Sequence, residues 1–133
     1  MIALLDTNVL IRFLVADESP KYKTLYSFFQ LLEQGQMRVE LKLIVFFQVI
    51  FVLKSFYKVP KKQIIESMKN ILKLKGIRIK EKKIVQRSLE LWANNNIEIV
   101  DSYLIAILEG DTQNILYSYD RDFDKFKINR KEP

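Results

Sequence analysis

The stretch Ile2-Ala3-Leu4-Leu5-Asp6-Thr7-Asn8 decides the fold class. Four apolar residues run straight into three residues that all serve well as helix N-caps, so the segment reads as a buried strand ending at a helix start. Val9–Val15 then reads as helix, and the same alternation returns outward along the chain. Pro20 opens a helix with Tyr22, Leu25, Phe28, Phe29 and Leu32 at helical spacing, and Gly35 closes it. Met37–Leu41 reads as a second strand. Ile44–Leu53 is apolar everywhere except Gln48 and extends through Tyr57 as a helix hydrophobic nearly all round, a pattern that predicts burial. Pro60 opens a helix to about Leu74, with Ile64, Ile65, Met68, Ile71 and Leu72 on one face. Ile77–Ile79 reads as a strand, Glu81–Asn94 as a helix, and Val100–Glu109 as a helix introduced by Asp101 and closed by Gly110. Ile115–Tyr119 is a fourth strand, Asp120–Phe126 a turn or a single helical turn, and a last short strand falls near Ile128. Strands alternating with helices predict an α/β fold with a mostly parallel sheet. With no internal repeat and no linker, residues 1–133 read as a single domain.

Composition narrows the chemistry. The chain has 133 residues, 22 Lys and Arg against 16 Asp and Glu, a net charge of +6, and neither cysteine nor histidine. Disulfides, thiolate zinc sites, cysteine nucleophiles, imidazole bases and histidine-ligated metals are therefore excluded. Catalysis, if present, falls to carboxylates, Lys, Tyr, Ser or a hard cation. The apolar start is interrupted by Asp6 and Arg12 before a signal-peptide core forms, and Leu43–Leu53 is too short to span a bilayer as a helix. The expectation is a soluble, cytoplasmic protein with no membrane partner.

In an open parallel sheet, ligands gather at the carboxyl ends of the strands. Asp6 follows the first strand, Asp120 and Asp122 follow the fourth, and Asp101 opens the helix before it. Such carboxylates repel one another unless a cation joins them, and oxygen-only ligands suit Mg²⁺ or Mn²⁺. Each also has a plain structural reading: Asp6 and Asp101 as helix caps, Asp120 and Asp122 as turn residues.

Three segments resemble one known family. Leu4-Leu5-Asp6-Thr7-Asn8-Val9-Leu10, Asp101-Ser102-Tyr103-Leu104-Ile105-Ala106 and Tyr117-Ser118-Tyr119-Asp120-Arg121-Asp122-Phe123 are similar, in order, to motifs of the PIN-domain ribonucleases. The resemblance covers essentially the whole chain and extends to the VapC-like toxin components of toxin–antitoxin pairs. It implies a three-layer α/β/α sandwich with a mostly parallel sheet of four or five strands. It also implies Mg²⁺- or Mn²⁺-dependent cleavage of RNA, a homodimer, and a small antitoxin protein as partner. By this resemblance Asp6, Asp101 and Asp120 are the catalytic metal-site carboxylates and Asp122 assists. Asn8 and Ser118 orient the carboxylates or bound water through hydrogen bonds.

The chain departs from the family at Gln48, which aligns with a position that is normally Glu. As the one polar residue in an apolar helix, Gln48 is expected to be buried or at a cleft wall, either satisfied within the core or pointing at the metal site in place of Glu. A neutral amide removes one negative charge and cannot act as a general base. The alternative to an active nuclease is therefore an impaired PIN module that binds RNA or a protein without efficient cleavage. Glu40, at the end of the second strand, is a candidate substitute for the missing acid.

The charge is uneven. Lys54–Arg87 holds twelve basic residues and two acids, while the carboxylate motifs lie in the remainder. Lys54, Lys58, Lys61 and Lys62 follow the Gln48 helix and are the expected RNA contacts, though a solvated helix face explains them equally. Tyr22, Leu25, Tyr26, Phe28 and Phe29 exceed what one face buries and suggest a partner or dimer groove as well as core. A nucleotide-binding fold is disfavoured, because the three glycines, Gly35, Gly76 and Gly110, are isolated.

Overall fold

Asp6 caps the first helix as its context predicts: its Oδ2 accepts the Asn8 backbone N–H at 3.2 Å, and α1 runs Thr7–Leu14. The structure, a computed structural model, describes residues 1–133. They separate into two compact units, Met1–Lys80 and Glu81–Pro133. Each unit carries one pair of parallel strands among its helices, so the protein is of the α/β class.

In the first unit, β1 (Val39–Glu40) pairs in parallel with β2 (Ile77–Arg78). The strand expected at Ile2–Leu5 is reduced to one parallel bridge between Leu4 and Glu40. The Leu5 N–H donates to the Glu40 carbonyl at 3.1 Å and the Glu40 N–H to the Ala3 carbonyl at 2.8 Å. Leu5 is buried, whereas Ile2 and Leu4 are exposed. Gly76 lets the strand pair close: a Cβ there would lie 2.0 Å from the Met37 carbonyl oxygen.

Pro20 does not open the second helix. It starts a 3₁₀ turn, Pro20–Tyr22, and α2 begins later, at Leu25–Gln34. The i→i+3 bonds from Tyr22 to Ser19 and from Lys23 to Pro20 close this turn without propagating. Gly35 ends α2 at φ 74°, the left-handed conformation that glycine adopts without a side-chain clash.

The apolar helix α3 (Leu43–Ser55) corrects the expectation of all-round burial. Phe46, Val49, Ile50 and Leu53 form its buried stripe, but Ile44 is 78% and Phe51 67% exposed. Helical periodicity explains this, since Ile44, Gln48, Phe51 and Ser55 share the opposite stripe and that stripe meets water. Gln48 is therefore exposed rather than buried. Helix α4 (Lys61–Leu72), with Pro60 at its N-cap, buries Ile64, Ile65, Met68, Ile71 and Leu72 as its spacing predicts.

In the second unit, α5 (Lys82–Asn94) packs closely on α6 (Ile99–Leu108), and β3 (Ile115–Tyr117) pairs in parallel with β4 (Asn129–Lys131). Leu91 from α5, Ile105 from α6 and Phe123 from a 3₁₀ helix (Arg121–Lys125) form one buried cluster, and Val85, Leu89, Trp92 and Ile99 are buried as well. Leu116, Phe126 and Ile128 pack against the cluster. Glu98, not Asp101, occupies the N-cap of α6, and Asp101 sits in the first helical turn. No helix is long and apolar enough to cross a membrane.

Candidate functional site

The second unit holds an open pocket of about 210 Å³ lined by Asp101, Asp120, Asp122, Glu98 and Asn96, with Ile97, Phe123 and Phe126. Asp101 reaches it from the first turn of α6, a helix end that favours negative charge. Burial pushes its carboxyl above the usual range, and the nearby charges of Asp120 and Glu98 push it further. Asp120 is fixed by its own loop. Its backbone N–H donates to Ser118 Oγ at 3.0 Å, and its Oδ1 accepts the Asp122 N–H at 2.9 Å, capping the 3₁₀ helix. Ser118 thus holds the Asp120 backbone rather than a carboxylate. Asp122 is exposed, with Lys125 Nζ at 3.8 Å.

Arg130 secures this loop from β4. It forms a forked pair with Asp124, at 2.9 and 3.1 Å, and donates to the Ser118 carbonyl at 2.9 Å. The Arg130 guanidinium holds the Asp124 carboxyl below the usual range. Sequence reasoning missed Arg130 and Glu98. Glu98 had a signal, an acid three residues before Asp101, the N-cap to N3 spacing that brings two side chains near one another at a helix start; Arg130 had none, because its partners emerge only once β4 lies beside β3.

In the first unit, Asp6 is exposed and engaged as the α1 cap, and Asn8 contributes its backbone N–H to that cap. The Thr7 hydroxyl donates to Gln48 Oε1 at 2.9 Å, which joins the start of α1 to the exposed stripe of α3. Glu40 is paired with Lys42, and that hydrogen bond holds its carboxyl below the usual range. Lys54, Lys58 and Lys62 are exposed and Lys61 is partly buried, all on α3, α4 or the segment between them. Lys58 takes a left-handed conformation at φ 56°.

The aromatic residues divide between core and surface. Phe29 is buried and stacks on Phe13 at 3.8 Å, with Phe28 edge-on at 5.5 Å. The Tyr22 ring lies 5.3 Å from the Arg12 guanidinium and 5.7 Å from Lys21 Nζ. Tyr26 is exposed, and with Phe13 it lines two adjoining pockets of about 430 and 280 Å³.

Neither unit gathers three or more Asp or Glu side chains closely enough to enclose a metal ion. The donor chemistry of the second unit still fits one. Its pocket offers only carboxylate and amide oxygen, and a hard cation would relieve the repulsion felt by Asp101.

Comparison with known proteins agrees with the motifs. No curated protein matches the chain. A family model described as PIN domain matches residues 3–129, spanning both units and all three motifs. The chain therefore belongs to the PIN domain family.

Proposed function

We propose that this protein is a metal-dependent ribonuclease, a single PIN domain over residues 1–133, acting as the toxin of a toxin–antitoxin pair. PIN domains in general are divalent-metal-dependent nucleases that act on RNA or DNA. The observation that carries the proposal is the pocket in which Asp101 and Asp120 share one mouth, inside a chain that matches the family. Asp101, Asp120 and Asp122 are the residues to hold Mg²⁺ or Mn²⁺ in this pocket, and Asp6 is the metal-site carboxylate that the family motif adds. When bound, the metal lowers the pKa of its water and stabilises charge on the phosphoryl group.

The rest is the work of the chain itself. Ser118 holds the backbone of Asp120, and Asp120 in turn holds the Asp122 N–H, so both carboxylates leave a fixed loop. Asn8 ties Asp6 to the first turn of α1. Lys54, Lys58, Lys61 and Lys62 attract the RNA backbone without reading its sequence. The cysteine-free composition suits a reducing cytoplasm. The exposed Tyr26 and its adjoining pockets suit a homodimer contact or a small antitoxin protein.

A second reading is favoured by one residue. Gln48 is neutral where the resemblance expects Glu, which supports an impaired module that binds RNA or a protein partner. The test is cleavage of a broad RNA panel by the purified protein with Mn²⁺. Cutting that EDTA stops and Asp101→Asn removes supports the nuclease. Salt-sensitive RNA binding without turnover supports the impaired module.

A further inference from the structure

Gln48 lacks the charge of the acid it replaces, and its surroundings suit a different task. The Thr7 hydroxyl donates to its Oε1, so the carbonyl end of the amide is turned toward α1. The end left for a ligand is Nε2, which carries two donor hydrogens and no lone pair suited to a cation. The side chain is exposed, and Phe51, 67% exposed, stands one turn along the same stripe of α3. An amide donor beside an exposed ring matches a single nucleic-acid strand, whose phosphate oxygens accept hydrogen bonds and whose bases stack on aromatic faces. The unit that carries this stripe has 14 basic and 6 acidic residues, a charge complementary to a polyanion.

We infer that Gln48 is a substrate-binding residue: held by Thr7, its amide Nε2 donates to a backbone phosphate oxygen of single-stranded RNA, and Phe51 offers its ring to an adjacent base. This rests on the RNA reading above but not on cleavage, so it can be tested without metal.

The experiment measures fluorescence anisotropy of a labelled single-stranded RNA with full-length protein in EDTA, alongside calorimetric titration of RNA-free protein with Mn²⁺. Gln48→Ala is expected to weaken RNA binding about tenfold, the loss typical of a hydrogen bond to a charged group. Gln48→Glu is expected to weaken it further by adding repulsion. Thr7→Val, which releases the amide from its orientation, is expected to weaken it about threefold. Mn²⁺ affinity is expected to be the same in Gln48→Ala as in wild type. Because Gln48 is exposed, its variants should melt with wild-type cooperativity, and circular dichroism checks this.

Three results overturn the inference while leaving the RNA reading intact: RNA affinity in Gln48→Ala within about twofold of wild type, Mn²⁺ affinity that falls with Gln48→Ala, or a change in oligomeric state with RNA affinity intact. The last marks the stripe as a protein contact. Failure of the wild type to bind RNA at all overturns the RNA reading together with the inference, whereas RNA binding that survives in Gln48→Ala overturns the role of Gln48 alone.

Discussion

The two units carry opposite charge. Met1–Lys80 has 14 basic and 6 acidic residues, while Glu81–Pro133 has 8 basic and 10 acidic. Their motif residues differ in the same sense. In the first unit Asp6 caps a helix and the Gln48 position carries a neutral amide. In the second, burial strains the Asp101 carboxylate, and the nearby charges of Asp120 and Glu98 add to that strain. The difference teaches that two tasks of a nuclease call for opposite fields. A polyanion is drawn to lysines and amide donors, and a divalent cation is drawn to carboxylates that ionise at a disadvantage without it.

The largest expected effect tests the acidic side. Asp101→Asn and Asp120→Asn should each reduce Mn²⁺-dependent RNA cleavage by on the order of 100-fold or more, since loss of a mere supporting hydrogen bond to a metal ligand already costs about 10–100-fold. Ser118→Ala should fall within that smaller range. In metal-free buffer, Asp101→Asn should raise the melting temperature at pH 7. The folded state holds the Asp101 proton more tightly than the unfolded chain, so ionisation lowers stability. That loss is absent below the ordinary carboxyl value of 3.8, grows as pH rises through the raised folded value, and is complete at neutral pH. A variant that melts below wild type at pH 7 would show that Asp101 makes a net stabilising contact instead.

Two glycines separate the units in packing. Gly76→Ala should destabilise by about 3 kcal/mol or more, because its Cβ would meet the Met37 carbonyl at 2.0 Å and the Leu32 carbonyl at 2.9 Å, both backbone atoms that cannot step aside. Gly110→Ala meets open space, and only its φ of +83° opposes the change, so about 1 kcal/mol is expected. Urea denaturation measures both. Equal losses would mean that the β1–β2 closure is softer than its geometry.

The element order and most of the helix faces were legible in the sequence. The buried positions of α4 follow from spacing alone, and Asp6 reads as a cap because an apolar run ends on it. Three features were not legible. Composition cannot tell which stripe of an almost wholly apolar helix meets water, so Gln48 read as buried or at a cleft wall, and its stripe with Ile44 and Phe51 is exposed. Proline at Pro20 fixes φ for a 3₁₀ turn as well as for a helix. Asp101 reads as a cap by residue type, yet the helix starts earlier, at a Glu98 whose side chain does not cap it. Of the candidate site, the acids were visible as motifs. The partners that hold them were not, because Thr7 with Gln48, and Arg130 with Asp124 and the Ser118 carbonyl, meet only after folding.

A smaller effect tests the basic side. Lys58→Ala and Lys62→Ala should each weaken RNA binding modestly and lower the slope of log affinity against log salt by about 0.7, the value for one phosphate contact on a single strand. Affinity measured across a salt series reads both. Unchanged slopes would leave these lysines as a solvated face, and the contrast between the units would then owe nothing to substrate.

The smallest effect lies at the first residue of the second unit. Glu81 takes φ 59°, an unfavourable conformation for a side chain of its size, and Tyr103 on α6 donates its hydroxyl to Glu81 Oε2 at 2.5 Å. That bond pushes the Tyr103 phenol up to about 12. Its stabilisation is full below the ordinary phenol value of 10.0 and is lost as pH rises through the folded value. Tyr103→Phe should therefore lower stability by about 1 kcal/mol at neutral pH, as for one ordinary hydrogen bond. Glu81→Gly removes the same bond but also relieves the backbone, so it should be the milder change. If Glu81→Gly is instead the more damaging, the Glu81 carboxylate contributes more than this bond, and the start of α5 is held by charge rather than by backbone geometry.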